Sequence, residues 1–246
     1  MKGILIIMAS MAAAVAHAQT VRVAAAGNLR YVMDDIREKY LSSHPHVKID
    51  ITLGASGALA QQIINGAPFD FFMSADTRSP QKLKEQGCAS GDAKTYAFGK
   101  LVLWSNVLDV SIGIEILNDK RVSRVAIAKP DIAPYGEKAV DCMKYYKLYD
   151  SSEDKLVYAD NIAQAAQFVV TGNAEIAFIA YSLVFGPEMK DKGNYFILNT
   201  ESYKPVEQAC VLLKGWERNP EAGKFMKFVL SEECKSVFKK YGYNVP

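Results

Sequence analysis

The sequence has few of the residues on which catalytic and metal sites are commonly built. It contains three histidines, and only His44 and His46 follow residue 18. None of the four cysteines forms a Cys-x-x-Cys pair. We therefore expect neither a histidine-based catalytic triad nor a Cys-x-x-Cys redox or zinc site. The two histidines, which flank Pro45, are interpreted as an exposed turn before a strand.

Charge of one sign and long apolar runs are also missing. Lys and Arg number 29 against 27 Asp and Glu, with no long run of charge. This balance predicts no nucleic-acid or membrane-surface partner. After residue 18, no apolar run approaches the roughly 20 residues that a membrane-spanning helix needs.

Residues 1–18 have the pattern of a secretory signal peptide. Lys2 supplies the positive start, residues 4–15 are almost wholly apolar, and Ala16-His17-Ala18 is a small-x-small cleavage site. The new N-terminus, Gln19, is not the cysteine of a lipoprotein. We therefore expect a periplasmic protein without a membrane anchor.

The four cysteines have two interpretations in an oxidising compartment. They form two disulfides in one of three connectivities, or they are buried thiols. The sequence leaves both open for the set Cys88, Cys142, Cys210 and Cys234.

Strand patterns and helix patterns alternate along the chain. Strands are predicted at 21–25, 47–53, 69–74, 101–105, 122–128, 156–158, 174–181 and 206–213. Helices are predicted to open near Asn28 (as N-cap), behind Ser56, at Pro134, at Ile162 (running to Val170) and after Asn219-Pro220 and Ser231. This alternation is typical of α/β proteins with parallel strands and right-handed crossovers.

We interpret the pattern as two α/β lobes, each a mixed, mostly parallel sheet flanked by helices. The first lobe would comprise residues 19–100 and 206–246, and the second 101–205. The chain would cross between them near Gly99 and near Lys204. Sites in such sheets lie at the carboxyl ends of strands, where helices begin, so a ligand in the cleft would contact both lobes.

Uncharged hydrogen-bond donors are predicted at four of these helix starts. They are the amide and N–H of Asn28, the hydroxyl and N–H of Ser56, and the N–H groups of Gly57, Tyr135 and Ile162, with the Tyr135 hydroxyl as a further candidate. Helix N-termini carry unpaired N–H groups and a partial positive charge, and they receive anions. None of these positions is Lys or Arg.

Each of these residues also has a simpler interpretation. Asn and Ser at helix starts are ordinary caps, so only the joint pattern indicates a site. The run from Gly54 to Ala58 lacks the second glycine of a Gly-x-Ser-x-Gly nucleophile elbow. Asp70 and Asp76 flank an apolar strand without a second element that would support paired-carboxylate catalysis.

Several motifs of the chain resemble the periplasmic molybdate-binding proteins of ABC importers. The most specific is residues 54–76, which contains Gly-Ala-Ser-Gly-Ala-Leu-Ala-Gln-Gln and Met-Ser-Ala-Asp. Weaker pieces lie at 24–29, 128–130, 134–136, 160–162 and 172–182, so the resemblance covers nearly the whole chain after residue 18. It implies the two-lobe periplasmic-binding-protein fold, type II-like, with the ligand in the interlobe cleft.

Position by position, the resemblance implies a set of anion contacts. The family's first anion-binding residue falls on Asn28, beside Gly27, and its second-loop serine falls on Ser56. The donor after the third-loop proline falls on Tyr135, and the residue after Asp160-Asn161 falls on Ile162. Molybdenum would be held only through its oxygens, without direct metal ligands.

A fifth contact is open. Some members of the family use a tyrosine hydroxyl from the last strand of the second lobe. That position is Ala180 here, and Tyr181 follows it. Because neighbouring residues on a strand face opposite ways, Tyr181 need not point at the ligand.

The resemblance implies a binding protein and not an enzyme. It would capture molybdate, and tungstate as well, and deliver it to the membrane permease of an ABC importer. We expect a monomer with no cofactor besides the ligand. The alternatives are a receptor for sulfate or another tetrahedral oxyanion on the same scaffold, and an uncharacterised periplasmic enzyme.

Overall fold

Two five-stranded sheets organise the chain in the computed structural model, which describes residues 19–246. The predicted signal peptide lies outside the described residues. The strands are β1 (Gln19–Ala26), β2 (Val47–Gly54), β3 (Phe71–Met73), β4 (Ala89–Gly99), β5 (Leu101–Ser105), β6 (Val125–Ala128), β7 (Leu156–Ala159), β8 (Ile176–Ala180), β9 (Asn194–Ile197) and β10 (Val206–Leu213).

Eight α-helices accompany these strands in the described part of the chain. They are α1 (Arg30–Ser43), α2 (Ser56–Ile64), α3 (Arg78–Glu85), α4 (Pro134–Tyr145), α5 (Tyr149–Ser152), α6 (Ile162–Val170), α7 (Pro220–Val229) and α8 (Glu232–Lys240). Between residues 19 and 246, no helix has the length and apolar character needed to cross a membrane.

The first sheet has the strand order β2-β1-β3-β10-β4, and the second has β7-β6-β8-β5-β9. In the first, β1 pairs in parallel with β2 and β3, while β10 runs antiparallel to β3 and β4. In the second, β6 pairs in parallel with β7 and β8, while β5 runs antiparallel to β8 and β9. The predicted two-sheet α/β architecture is confirmed. The sheets are mixed but not mostly parallel as predicted: each has two parallel and two antiparallel pairs, because β10 in the first sheet and β5 in the second run antiparallel to both of their neighbours.

The register of the parallel strands positions the loops that follow them. Ala26 of β1 lies opposite Gly54 of β2, so the two strands end level. Ala128 of β6 and Ala159 of β7 end level in the second sheet. The turns that lead into α1, α2, α4 and α6 therefore start at the carboxyl edges of the two sheets.

Most predicted elements are found, and one predicted cap is wrong. Helix α6 spans Ile162–Val170 as predicted, because the Asn161 side chain accepts hydrogen bonds from the N–H groups of Ala163 and Gln164. Asn28 does not cap a helix. It lies inside a 3₁₀ turn, Gly27–Leu29, and its amide bonds to distant residues. Four of the strands and α-helices were not predicted: α3, α5, β4 and β9.

The lobe limits stay a prediction. The first sheet draws its strands from residues 19–99 and 206–213, and the second from 101–197. Apolar side chains fill both sheets' faces, and the largest fully buried ones include Trp104 in the second sheet and Phe71 and Phe72 in the first.

All four cysteines are free thiols in the structure, which excludes the disulfide alternative. Cys142, Cys210 and Cys234 are buried, whereas Cys88 is partly exposed. Burial raises the pKa of the Cys142 thiol to about 11 and the pKa values of Cys210 and Cys234 to about 12. The three buried thiols therefore stay protonated near neutral pH.

We expect one thiol to react with a thiol-specific reagent such as dithionitrobenzoate in the native protein at pH 8, because the thiolate is the reactive form. Cys88 should react first and the other three only on unfolding in guanidinium chloride. Mass spectrometry of the labelled peptides checks this. Fewer than four titratable thiols in the unfolded, unreduced protein would contradict the free-thiol assignment.

Candidate functional site

A small cavity lies where the carboxyl edges of the two sheets meet. Its volume is about 10 Å³, and it is lined by residues of both halves: Ala26, Gly27, Asn28, Gly54, Ala55, Ser56, Ala75, Ala133, Pro134, Tyr135 and Ile162. Pockets for drug-sized ligands typically reach about 300–1,000 Å³. This cavity therefore suits a ligand of few atoms. Five of the six residues predicted from the sequence line it: Gly27, Asn28, Ser56, Tyr135 and Ile162.

Ser56 brings two donors to the cavity. It is the first residue of α2, so its N–H has no acceptor within the helix. Its Oγ accepts a hydrogen bond from the Ala75 N–H at 3.0 Å, which leaves the hydroxyl proton free to donate. Ser56 is fully buried, and the Ala75 bond fixes where its oxygen lies.

The second half contributes backbone donors from α4 and α6. Tyr135 follows Pro134 in the first turn of α4, and Ile162 is the first residue of α6. Neither N–H forms a hydrogen bond with another described residue. In α6, Asn161 caps the second and third N–H groups and so leaves the first, that of Ile162, unpaired.

Asn28 is held by residues far away in the sequence. Its Nδ2 donates to Gln208 Oε1 at 2.9 Å and to the Tyr243 hydroxyl at 2.7 Å. Its carbonyl oxygen accepts from Ser182 Oγ at 2.8 Å. The Oδ1 atom is buried without a hydrogen-bond partner in the described part of the chain.

Gly57 does not line the cavity, which corrects one sequence prediction. Its N–H donates to the Ile132 carbonyl at 2.9 Å and is not free for a ligand. A Cβ at this position would lie 2.9 Å from the same oxygen. Gly57 therefore acts as a close contact between α2 and the loop that precedes α4.

Gly27 and Gly99 also permit close approaches around the cavity. A Cβ on Gly27 would lie 3.0 Å from Asn161 Oδ1, the cap of α6. A Cβ on Gly99 would lie 2.0 Å from the Tyr135 hydroxyl. That hydroxyl accepts a hydrogen bond from Gln208 Nε2 at 3.0 Å, so it contacts the strand that returns to the first sheet.

No charged side chain is among the residues that line this cavity in the described structure. Asp160 forms an ion pair with Lys129 at 2.6 Å, and its side chain is 67% exposed. In a neighbouring pocket, Arg78 of the first half pairs with Glu137 of α4. Charges near the cleft thus pair with one another, and the cavity presents neutral groups.

Tyr181 does not line the cavity either. Its hydroxyl lies 3.2 Å from the Tyr195 hydroxyl, and its ring packs edge-on against Phe185. Burial, together with the Tyr195 hydroxyl, raises the pKa of Tyr181 to about 12. The residue belongs to a 3₁₀ turn that follows β8 and not to the strand.

Sequence reasoning missed the polar residues behind Asn28. Gln208, Tyr96 and Tyr243 are buried, and burial raises the pKa values of both tyrosines, so their hydroxyls stay neutral. The one sequence signal was Gln208 itself, a polar residue within the apolar strand pattern 206–213.

Comparisons with known proteins agree with this geometry. A family model described as bacterial extracellular solute-binding protein matches residues 21–244. The molybdate-binding protein ModA of Azotobacter vinelandii is 37% identical over 239 residues, covering 96% of this chain and 94% of that protein. ModA of Rhodobacter capsulatus is 38% identical, with coverages of 93% and 89%.

A solved structure, the periplasmic molybdate-binding protein of A. vinelandii, superimposes with a TM-score of 0.85. It is 31% identical and covers 92% of this chain and 99% of its own. The chain therefore belongs to the family of bacterial extracellular solute-binding proteins and, within it, to the family of the ModA proteins.

Proposed function

We propose that this protein is a periplasmic receptor that captures molybdate, and also tungstate, and delivers it to the membrane permease of an ABC importer. The observation that carries the proposal is the convergence of neutral donors from both halves on one small cavity. The names of the relatives support the choice of molybdate. The proposed role is binding and transport, without catalysis.

The donors match the chemistry of a fully deprotonated tetrahedral oxyanion, which can only accept hydrogen bonds. Ser56 offers a hydroxyl and an N–H, and Asn28, Tyr135 and Ile162 each offer an N–H. These groups lie at helix starts, where the partial positive charge favours an anion. We propose that they hold the molybdenum through its oxygens alone.

Monohydrogen phosphate is disfavoured by the same set of groups. It carries a proton and is bound best where a carboxylate accepts that proton. No Asp or Glu lines the cavity, and Asp160 is paired with Lys129. Sulfate has the same charge as molybdate, so discrimination between these two rests on cavity size.

The donors come from both lobes, so we propose that the lobes close around the bound anion. Ser56 belongs to an element beside the first sheet, whereas Tyr135 and Ile162 belong to elements beside the second. An anion that bonds to all three stabilises the closed form. The ligand shifts the equilibrium only by its differential affinity for that form. We propose that the permease recognises the closed surface of a monomer.

Calorimetric titration of the mature protein with molybdate, tungstate, sulfate and phosphate tests the proposal. Tight binding is expected for the first two anions, weaker binding for sulfate and the weakest for phosphate. Equal affinities for sulfate and molybdate would refute the size-based selectivity. Absence of binding to all four anions would refute the function.

Ser56→Ala is expected to weaken molybdate binding by roughly 1 to 3 kcal/mol, the usual loss for a buried hydrogen bond to a charged group. The variant also leaves the Ala75 N–H unpaired, so its unfolding free energy should fall. The matched control is Ser42→Ala on the exposed end of α1, which should change neither quantity measurably. Unchanged affinity in Ser56→Ala would place the site elsewhere.

Gly57→Ala tests whether the contact with Ile132 belongs to the closed form. Overpacking there, at about 1–3 kcal/mol, should weaken molybdate binding about tenfold or more. Thermal stability without ligand should hold, because alanine suits a helix start. Gly223→Ala is the control. Gly223 lies in α7, does not line the cavity, and a Cβ there would lie 2.7 Å from the Trp216 ring. This control should lose stability but keep its affinity, and the same pattern in Gly57→Ala would contradict the assignment.

A further inference from the structure

Gln208 is a fully buried polar side chain that joins three elements around the cavity. Its Oε1 accepts from Asn28 Nδ2 and from the Tyr96 hydroxyl, each at 2.9 Å. Its Nε2 donates to the Tyr135 hydroxyl at 3.0 Å. Gln208 thus contacts the side chains of two residues that line the cavity without lining it itself.

As the side chains stand, the protons of this network do not match its acceptors. Tyr96 has one hydroxyl proton for two acceptors, Gln208 Oε1 and the Ser74 carbonyl, each at 2.9 Å. The Tyr135 hydroxyl accepts from Gln208 and donates to no described residue. Asn28 Oδ1 is buried without a partner among residues 19–246, and a buried acceptor without a hydrogen bond destabilises the arrangement.

Rotation of both side-chain amides by 180° keeps every heavy-atom position and reverses the hydrogen bonds. Gln208 Nε2, with two protons, then donates to Asn28 Oδ1 and to the Tyr96 oxygen. Tyr96 donates to the Ser74 carbonyl, and Tyr135 donates to Gln208 Oε1. Each contact of Gln208 then has one proton and one acceptor.

The rotation has one consequence at the cavity. Asn28 Oδ1, bonded to Gln208, turns away from the ligand, and Asn28 Nδ2 takes the place of the unpartnered oxygen. The Tyr243 hydroxyl, 2.7 Å from the rotating atom, donates to Oδ1 in this arrangement and no longer to the Asn28 carbonyl at 3.1 Å or to Ser182 Oγ at 3.0 Å. The Asn28 carbonyl keeps the hydrogen bond from Ser182 Oγ at 2.8 Å. The amide then meets an anion with two N–H donors and without an acceptor.

We propose that Gln208 is a positioning and specificity-determining residue, which holds Asn28 with its Nδ2 toward the bound oxyanion. This inference rests on the proposed function. An oxygen of Asn28 facing the cavity would repel a deprotonated oxyanion and accept the proton of hydrogen phosphate. Gln208 therefore favours fully deprotonated anions although it does not touch them.

The test compares wild type with Gln208→Met, Asn28→Ala and the double variant, titrated calorimetrically with molybdate and with phosphate at pH 7.5. We expect Gln208→Met to weaken molybdate binding about tenfold, because the Asn28 amide is no longer held toward the anion. Phosphate binding should weaken less, so the ratio of the molybdate affinity to the phosphate affinity should fall. Gln208→Met should cause no further loss in the Asn28→Ala background. Gln86→Met, an exposed position, is the matched control.

Gln208→Glu supplies a second readout that does not depend on the stability of the methionine variant. An ionised carboxylate only accepts hydrogen bonds, so it accepts from Asn28 Nδ2 and leaves Oδ1 toward the cavity. A protonated carboxyl can donate to Oδ1. Molybdate affinity of this variant, relative to wild type, should therefore rise as the pH is lowered from 8 to 6.

Three results would overturn the inference: wild-type affinity in Gln208→Met, equal weakening for molybdate and phosphate, or losses that multiply in the double variant. A flat pH profile of Gln208→Glu relative to wild type would do the same. If wild type binds no oxyanion, the proposed function fails and the inference fails with it. Wild-type binding together with any of the other results refutes the inference alone.

Discussion

A tetrahedral oxyanion accepts hydrogen bonds and offers none, so a buried site for it needs donors that are already in place. The first N–H groups of a helix meet this need because they have no acceptor within the helix. Level strand ends, Ala26 with Gly54 and Ala128 with Ala159, bring such helix starts to one place from two sheets. The fold thereby assembles the proposed anion site without a long side chain.

Neutral backbone donors also keep the entropic cost of the proposed closure low. A lysine in the cavity would lose about 2 kcal/mol of side-chain entropy on being fixed. Backbone N–H groups lose none, because the helices already hold them. The ion pair across the cleft, Arg78 with Glu137, is exposed on the arginine side, and such pairs contribute only about 0–1 kcal/mol. In the proposed closure, the ligand and short contacts such as Gly57 with Ile132 therefore contribute to the balance between open and closed forms.

Local signals allowed the architecture and most of the cavity to be predicted. Asn161 caps α6, and the helix begins and ends where the pattern predicts. The prediction that Asn28 caps a helix is wrong because its amide bonds to Gln208 and Tyr243, which lie 180 and 215 residues away. The prediction that the Gly57 N–H faces the ligand is wrong for a similar reason, since this N–H donates to Ile132 of the other half. In both cases a long-range partner competes with the local role, and a local pattern carries no information about it.

The orientation of a buried amide pair is a still less local property, because it depends on the number of protons in the whole network. With Asn28 Oδ1 unpartnered, Tyr96 must divide one proton between two acceptors, and the proton of Tyr135 has none. With the same heavy atoms, the rotated arrangement leaves Tyr96 a single acceptor and gives the Tyr135 proton an acceptor, Gln208 Oε1. It also puts the Asn28 Nδ2 protons, which have no partner among the described residues, where the unpartnered Oδ1 was. A bound dianion adds to this preference, since it attracts Nδ2 and repels Oδ1. The hydrogen-bond network and the ligand therefore favour the same orientation of the Asn28 amide. In this proposal Gln208, which does not touch the anion, affects which anion is bound.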